Sequence, residues 1–361
     1  MTAAVEESEI TPRGLKRVLK AVGADRILVL GPPGVGKSTV IREYAVERAR
    51  EMGLKFIDVS SVHNIESLSL EDSYLYLQLF SPLIRVEDLA FIARSGSRYD
   101  WMLPSKLNVF TEEGVKGLIF IDEITNTQLP DVQTMLFSMV LDKRISHFKL
   151  SSNVEIVAAG NPPGESSLAV PLPRPLLDRF RMVLKVAPPT VDEWIEWMES
   201  QGKRWDRRVA VALRIHPELL YEEGGSDGIE KTPTPRSWSE LAWGLASISG
   251  VNDEWLTRIV VETTVGRKAG AKVLELLAKK GVVDDIGALE AMSEEERLSY
   301  IDSVASKIAA SKSLDCVTVD YLVSLGAHYL VYLLSRLPSE VRREAEQCAS
   351  SREVLRDLRR R

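Results

Sequence analysis

The stretch Gly31-Pro32-Pro33-Gly34-Val35-Gly36-Lys37-Ser38-Thr39 has the residue types and spacing of a phosphate cradle. Glycines let successive backbone N–H groups turn toward one point, and a helix opening behind them adds the positive end of its dipole. In this pattern the nine residues enclose a polyphosphate, Lys37 reaches its terminal phosphates, and Ser38 holds Mg²⁺. A second group ends the apolar run of "VKGLIFIDEI" (115–124), where Asp122 and Glu123 stand side by side. Carboxylates at the end of a parallel strand suit two tasks: Asp122 organises the metal through its water shell, and Glu123 polarises an attacking water as general base. The run "NVEIVAAGNPP" (153–163) ends in Asn161. Its amide could hydrogen-bond a terminal phosphate or that water, although Asn before two prolines is also an ordinary turn signal.

Four arginines add positive charge. "VPLPRPLLDRFRM" (170–182) sets Arg174, Arg179 and Arg181 among prolines and apolar residues. A guanidinium reads a carboxylate or phosphate as a planar fork, so the cluster asks for an anion. For Arg179 that anion is a phosphate or a carboxylate such as Asp178 or Asp192; Arg181 could instead open the next strand and face solvent. Arg236 follows two X-Pro turns in "TPTPRSWSEL" (232–241), at the first turn of a helix. From there it could reach back to a phosphate or remain a solvated helix-start residue.

These groups need a scaffold that brings distant segments to one edge. "DRILVLGPPGVGKSTVIREYA" reads as strand, loop and helix in succession, and residues 23–186 alternate strand and helix signals. The fold class expected is α/β: a P-loop three-layer αβα core with a mostly parallel sheet, followed by an all-α lid. Thr11-Pro12 caps an opening helix at 12–22. Strand signals cease after "APPT" (187–190), and Thr190 with Glu193 forms a capping box. The expected divisions are a nucleotide-binding core at 1–187, a helical lid at 188–335 with breaks at 222–235 and 279–285, and a charged helical tail at 336–361. The tail reads as a solvated or subunit-contacting helix. "YLVSLGAHYLVYLLSRL" (321–337) is expected to be one core helix, interrupted by Ser, Gly and His and too short to span a membrane.

Composition excludes several classes. The 361-residue chain is 45% apolar and 27% charged, an ordinary globular balance. A net charge of −6 argues against a general nucleic-acid binder and leaves a local basic channel open. Cys316 and Cys348 are far apart in helical patterns, which suggests neither a disulfide framework nor a metal knuckle. His63, His147, His216 and His328 lack the spacing of zinc ligands. The acidic start "MTAAVEESEI" has no apolar targeting region, so a cytoplasmic address is expected.

Over about residues 25–245 the chain resembles an AAA+ ATPase, and within that superfamily the MoxR-like group of the helix-2-insert clade. "FIDEITNTQLPDVQTMLFSMVLDKRI" is similar to the family's acidic strand end and following helix, "AAGNPP" to its sensor-1 strand, "PLPRPLLDRF" to its Leu-Asp-Arg-Phe segment, and "TPTPRSWSEL" to its sensor-2 helix start. The resemblance implies ATP with Mg²⁺, and it makes Arg179 an arginine finger that meets the γ-phosphate bound by a neighbouring subunit. It also implies a homo-oligomer, a hexamer, that acts as a chaperone or motor on a protein partner, of which a von Willebrand factor A domain protein is one candidate. The chain departs from the family at Thr125-Asn126 and at Arg174-Pro175. Other roles within reach are a nucleic-acid-stimulated motor of the helicase or McrB type, a nucleotide-gated assembly scaffold, and a chelatase-like subunit. Two segments are candidates to grip a client: "SRYDWMLPSK" (97–106), with Tyr99, Trp101 and Met102, and "LDKRISHFKLSSNVEI" (141–156), which alternates like a hairpin and falls where the clade places its insertion.

Overall fold

The apolar run ahead of the glycine-rich stretch forms the first strand of a parallel sheet in a computed structural model that describes residues 9–95, 97–162, 172–223, 231–249, 253–278, 286–311, 314–345 and 348. The chain divides into two units, Met1–Pro189 and Thr190–Arg361.

In the first unit, α1 (Pro12–Val22) is capped by the Thr11 hydroxyl and opens with proline at its first turn, as the sequence signals. It is followed by β1 (Ile27–Leu30), α2 (Lys37–Glu51), β2 (Lys55–Asp58) and β3 (Ser73–Phe80). A short helix α3 (Val86–Leu89) leads into the hairpin of β4 (Phe91–Ser95) and β5 (Arg98–Met102), and α4 (Ser105–Asn108) leads on to β6 (Lys116–Asp122). Then come α5 (Pro130–Asp142), a small hairpin of β7 (Arg144–Ile145) and β8 (Phe148–Lys149), β9 (Val154–Gly160), α6 (Arg174–Leu177) and β10 (Met182–Lys185). Six strands make the main sheet in the order β10-β1-β9-β6-β3-β2, and every ladder in it is parallel. Parallel strands need crossovers and are covered by helices, so their sequences read as unbroken apolar runs. Ile119, Ile121, Ala158 and Leu28 accordingly share one core with Val132, Leu136 and Met139 of α5.

Because β1 lies between β9 and β10, and β6 between β9 and β3, the sheet sets the ends of β1, β6 and β9 next to one another. The phosphate loop, the paired carboxylates and Asn161 all follow those ends. This is the edge where ligands sit in open α/β sheets.

The regular elements among the described residues of the second unit are all helical, the α-helices being α7 (Val191–Ser200), α8 (Arg208–Ile215), α9 (Pro235–Ser247), α10 (Glu254–Val265), α11 (Arg267–Leu277), α12 (Glu294–Ser311), α13 (Cys316–Leu325), α14 (Ala327–Arg336) and α15 (Ser339–Ala345). Thr190 and Glu193 form the expected capping box at α7. Of the break expected at 222–235, residues 224–230 lie outside the described residues, as does the whole break expected at 279–285. Trp194, Trp238, Val209, Leu241 and Leu322 are at its core.

Two expectations are corrected here. The apolar window 321–337 is two helices, not one, because Gly326 sits between them at φ 151 and ends α13. Cys316 and Cys348 are joined in a disulfide, with Cα atoms 5.4 Å apart. Folding brings the start of α13 beside the residues that follow α15, a proximity the sequence separation of 32 conceals. The segment from 336 onward also supplies Leu337, Val341, Ala345 and Cys348 to the buried core of the unit.

Glu290 is a buried carboxylate of this unit. Glu290 is bridged by Arg214, and Tyr321 Oη donates to it at 2.9 Å. Arg214 also reaches Asp192 at 2.7 Å. Burial, followed by the negative charge of Glu290, pushes the Tyr321 hydroxyl well above its ordinary value.

Candidate active site

Gly36 is the residue ahead of α2 and adopts φ 106, a conformation that a side chain would strain. That turn places Lys37 inside: it is 8% exposed, and its Nζ donates to Gly31 O at 2.6 Å, Pro32 O at 2.8 Å and Asn161 Oδ1 at 3.1 Å. Lysine and asparagine, far apart in sequence, therefore meet over the loop. Pro33 and Thr39 are exposed, while Val35 is buried beneath the loop.

Asn161 is held from behind. Its backbone N–H donates to Thr125 Oγ1 at 3.0 Å. A Cβ on Gly160 would lie 2.7 Å from the Thr125 methyl and hydroxyl, so glycine at the end of β9 is what lets this contact form. Thr125 thus has a positioning task of its own.

Asp122 is the hub of the acidic end. Its Oδ2 accepts from Ser38 Oγ at 2.9 Å and from Gln78 Nε2 at 2.9 Å, and its Oδ1 accepts from the Glu123 N–H at 3.0 Å. Burial pushes the Asp122 carboxyl above the usual carboxylate range, against the opposing bond from Ser38. A buried carboxylate and a hydroxyl oxygen in contact are hard oxygen ligands of the kind Mg²⁺ takes, so the residues present fit that ion.

Glu123 turns away from the strand at φ 55 and begins the 3₁₀ turn Ile124–Asn126. Asn126 Nδ2 donates to its Oε2 at 2.8 Å, and Ser81 Oγ donates to its carbonyl at 2.8 Å. Thr127 Oγ1 donates in turn to Ser81 Oγ at 2.9 Å. Asn126 is buried, and its Oδ1 has no partner among the described residues. The ladder pairs Phe80 with Asp122, which is why Gln78 and Ser81, on and after β3, reach the acidic pair.

Gln78, Ser81, Thr125 and Asn126 are the site residues that sequence reasoning missed. Gln78 had a signal, being a lone amide inside the apolar run "SYLYLQLF". The other three depend on register and turn geometry.

The arginines divide. Arg179 is exposed on the turn between α6 and β10, and its side chain has no partner among the described residues. Asp192, one carboxylate weighed for it, is bonded to Arg214. Arg174 is exposed in α6. Arg181 precedes β10, and its guanidinium does more than face solvent: Nη2 donates to Val22 O at 2.9 Å and Gly23 O at 2.8 Å, closing the carbonyl end of α1. Arg236 is exposed in the first turn of α9, which Thr234 caps. It belongs to the second unit.

Residues 27–187 match the family described as "ATPase family associated with various cellular activities (AAA)". This segment is a nucleotide-binding ATPase domain of the AAA kind, and the phosphate loop, acidic pair and Asn161 all lie within it. No curated protein matches the chain. Among solved structures it is similar to C. elegans PCH-2, at 14% identity over 74% of this chain and 66% of that chain, with a TM-score of 0.31. It is similar to the FIGL-1 AAA domain in complex with ADP, at 19% identity over 81% and 82% of the two chains and a TM-score of 0.34. A putative ATPase from Cytophaga hutchinsonii ATCC 33406 is similar at 16% identity over 93% and 81%, with a TM-score of 0.32. No helix among the described residues is long and apolar enough to cross a membrane.

Proposed function

We propose that this chain is a MoxR-like AAA+ motor that hydrolyses Mg²⁺-ATP in a hexameric ring, with each active site shared between neighbours, and that it remodels or matures a protein partner. Gly31 through Thr39 wrap the phosphates, and Lys37 exchanges its bonds to the loop for bonds to the terminal phosphates. Ser38 and Asp122 hold Mg²⁺, which when bound neutralises charge on the phosphate oxygens. Glu123, oriented by Asn126, takes the proton of the attacking water. Asn161 orients that water or the γ-phosphate, and Arg236 reports nucleotide state to the helical unit.

The observation that carries the shared-site reading is Arg179, exposed and without a side-chain partner among the described residues. An arginine supplied to the transferring phosphate is worth about 10³ to 10⁵ in rate, so isolated subunits should be nearly inert. The test is ATPase activity per subunit across a dilution series, repeated with Arg179→Ala. Activity that climbs with concentration and collapses in the variant supports the reading; activity flat with concentration and indifferent to Arg179 refutes it.

The client grip is assigned to the β4–β5 hairpin. Ile92 pairs with Trp101 and Arg94 with Tyr99, so these four share one face, and Ile92, Tyr99 and Trp101 are 58%, 74% and 44% exposed. Exposed large apolar residues gathered on one surface mark a binding surface more often than chance packing. A von Willebrand factor A domain protein is the first partner to test.

A further inference from the structure

Gln78 is exposed near the end of β3, at the edge of the sheet that carries the site, yet its amide is not simply solvated. Along β3 the side chains alternate. Leu75, Leu77 and Leu79 belong to the core shared with α5, and Tyr74, Tyr76, Gln78 and Phe80 lie on the other face. On that face the amide has two polar partners: its Nε2 donates to Asp122 Oδ2 at 2.9 Å, and its Oε1 accepts a long bond, 3.4 Å, from Tyr76 Oη.

Three donors from three parts of the chain converge on Asp122. Ser38 Oγ from α2 and Gln78 Nε2 from β3 share Oδ2, and the Glu123 N–H takes Oδ1. Two of these have a second task in the proposed reaction. Ser38 must turn a lone pair to the metal, and the Glu123 N–H belongs to the turn that carries the proposed general base. Gln78 has no such task, so it is the donor that keeps the carboxylate in place while Ser38 serves the ion. Partners of this kind, one bond removed from a metal, fix the direction of the groups that hold it.

An amide steadies a carboxylate through its N–H end and repels it through its oxygen, so the direction of the Gln78 amide matters. Tyr76 sets that direction. Tyr76 is 1% exposed, and Gln78 Oε1 is the acceptor its hydroxyl has among the described residues. Turned end for end, the amide would press Oε1 against Asp122 Oδ2 and leave a buried hydroxyl hydrogen without an acceptor, two unfavourable states at once.

We infer that Gln78 is a positioning residue for the metal, keyed by Tyr76: it fixes the Asp122 carboxylate in the orientation from which that residue holds Mg²⁺, and the Tyr76 hydroxyl keeps the amide facing the right way. The inference rests on the Mg²⁺-nucleotide reading of the site.

The test reads binding rather than turnover. Mn²⁺, as the probe ion, is titrated into the full chain loaded with ADP and followed by electron paramagnetic resonance; calorimetry gives ADP affinity in EDTA. Gln78→Leu should weaken Mn²⁺ binding about tenfold, and Tyr76→Phe, which keeps the ring and removes the hydroxyl, about threefold. ADP affinity in EDTA should stay within about twofold in both. Adding Tyr76→Phe to Gln78→Leu should cost nothing further, because the hydroxyl acts through the amide. Should Tyr76→Phe fail to fold, Gln78→Leu, at an exposed position, carries the comparison. If the parent holds Mn²⁺ no more tightly than ADP does in solution, the metal reading of the site fails and this inference with it. If the parent binds Mn²⁺ and Gln78→Leu binds it equally well, or loses ADP in EDTA by the same factor, the positioning role alone is wrong. Additive losses in the double variant would detach Tyr76 from Gln78.

Discussion

Glu123 occupies a left-handed backbone conformation that a residue with a side chain adopts at a cost of order 1–3 kcal/mol. It stays there because Asp122 Oδ1, Ser81 Oγ and Asn126 Nδ2 hold its amide, carbonyl and carboxylate at once. Of these, Asn126 acts on the carboxylate alone. Asn126→Ala should lower kcat by about 10- to 100-fold while KM for ATP stays within about twofold, read by steady-state kinetics; a rise in KM with kcat intact would make Asn126 a binding residue instead. Asp122 illustrates the opposite balance. Burial raises its folded-state pKa, so the fold disfavours the charged form, and stability from this group grows as pH falls through that raised value toward the ordinary 3.8. Asp122→Asn should therefore raise the Tm of the nucleotide-free protein at neutral pH, with a gain that shrinks toward pH 3.8, and abolish Mg²⁺-dependent hydrolysis. At this scale the sequence was partly legible. Lys37, Ser38 and the acidic pair follow local patterns, whereas Gln78 and Ser81 come to Asp122 and Glu123 through the pairing of Phe80 with Asp122, and no local pattern encodes a ladder register.

Elements with local signals emerged where their residues indicated. The Thr11 and Thr190 caps start α1 and α7, and the alternation read over 141–156 holds the β7–β8 hairpin at 144–149 and, separately, the start of β9. Half of "SRYDWMLPSK", Arg98–Met102, is strand β5, because its partner strand β4 lies upstream and pairs with it. Trp101→Ala on that exposed hairpin should bring client-stimulated hydrolysis down to the unstimulated rate in an assay with and without the client; retained stimulation would release the hairpin from this role. The break at Gly326 and the Cys316–Cys348 link depend on how α13, α14 and α15 pack, and so lay beyond periodicity. Closing a loop of 32 residues restricts the unfolded chain by about 3–4 kcal/mol. Reductant, or Cys348→Ser, should lower the denaturant midpoint of the second unit accordingly, followed by tryptophan fluorescence. An unchanged midpoint would mean that packing of Leu337, Val341 and Ala345 alone fixes α15.

In the first unit, the order of strands explains why three separated motifs become one site: parallel crossovers return each chain segment to the same edge of the sheet. Arg179 is different in kind. It is exposed, without a side-chain partner among the described residues, and chemically suited to a phosphate; its proposed anion is the γ-phosphate held by a second copy of the chain. Mixing two inactive variants tests this assignment most directly. Arg179→Ala keeps Glu123, and Glu123→Gln keeps Arg179; each alone should lose nearly all ATPase activity. If sites are shared, an equimolar mixture assembles some sites from one intact Glu123 and a neighbour's intact Arg179, and hydrolysis returns to a measurable fraction of the parent rate. If the mixture stays as inactive as its parts, while gel filtration shows that the two variants co-assemble, Arg179 serves its own subunit and the shared active site is wrong.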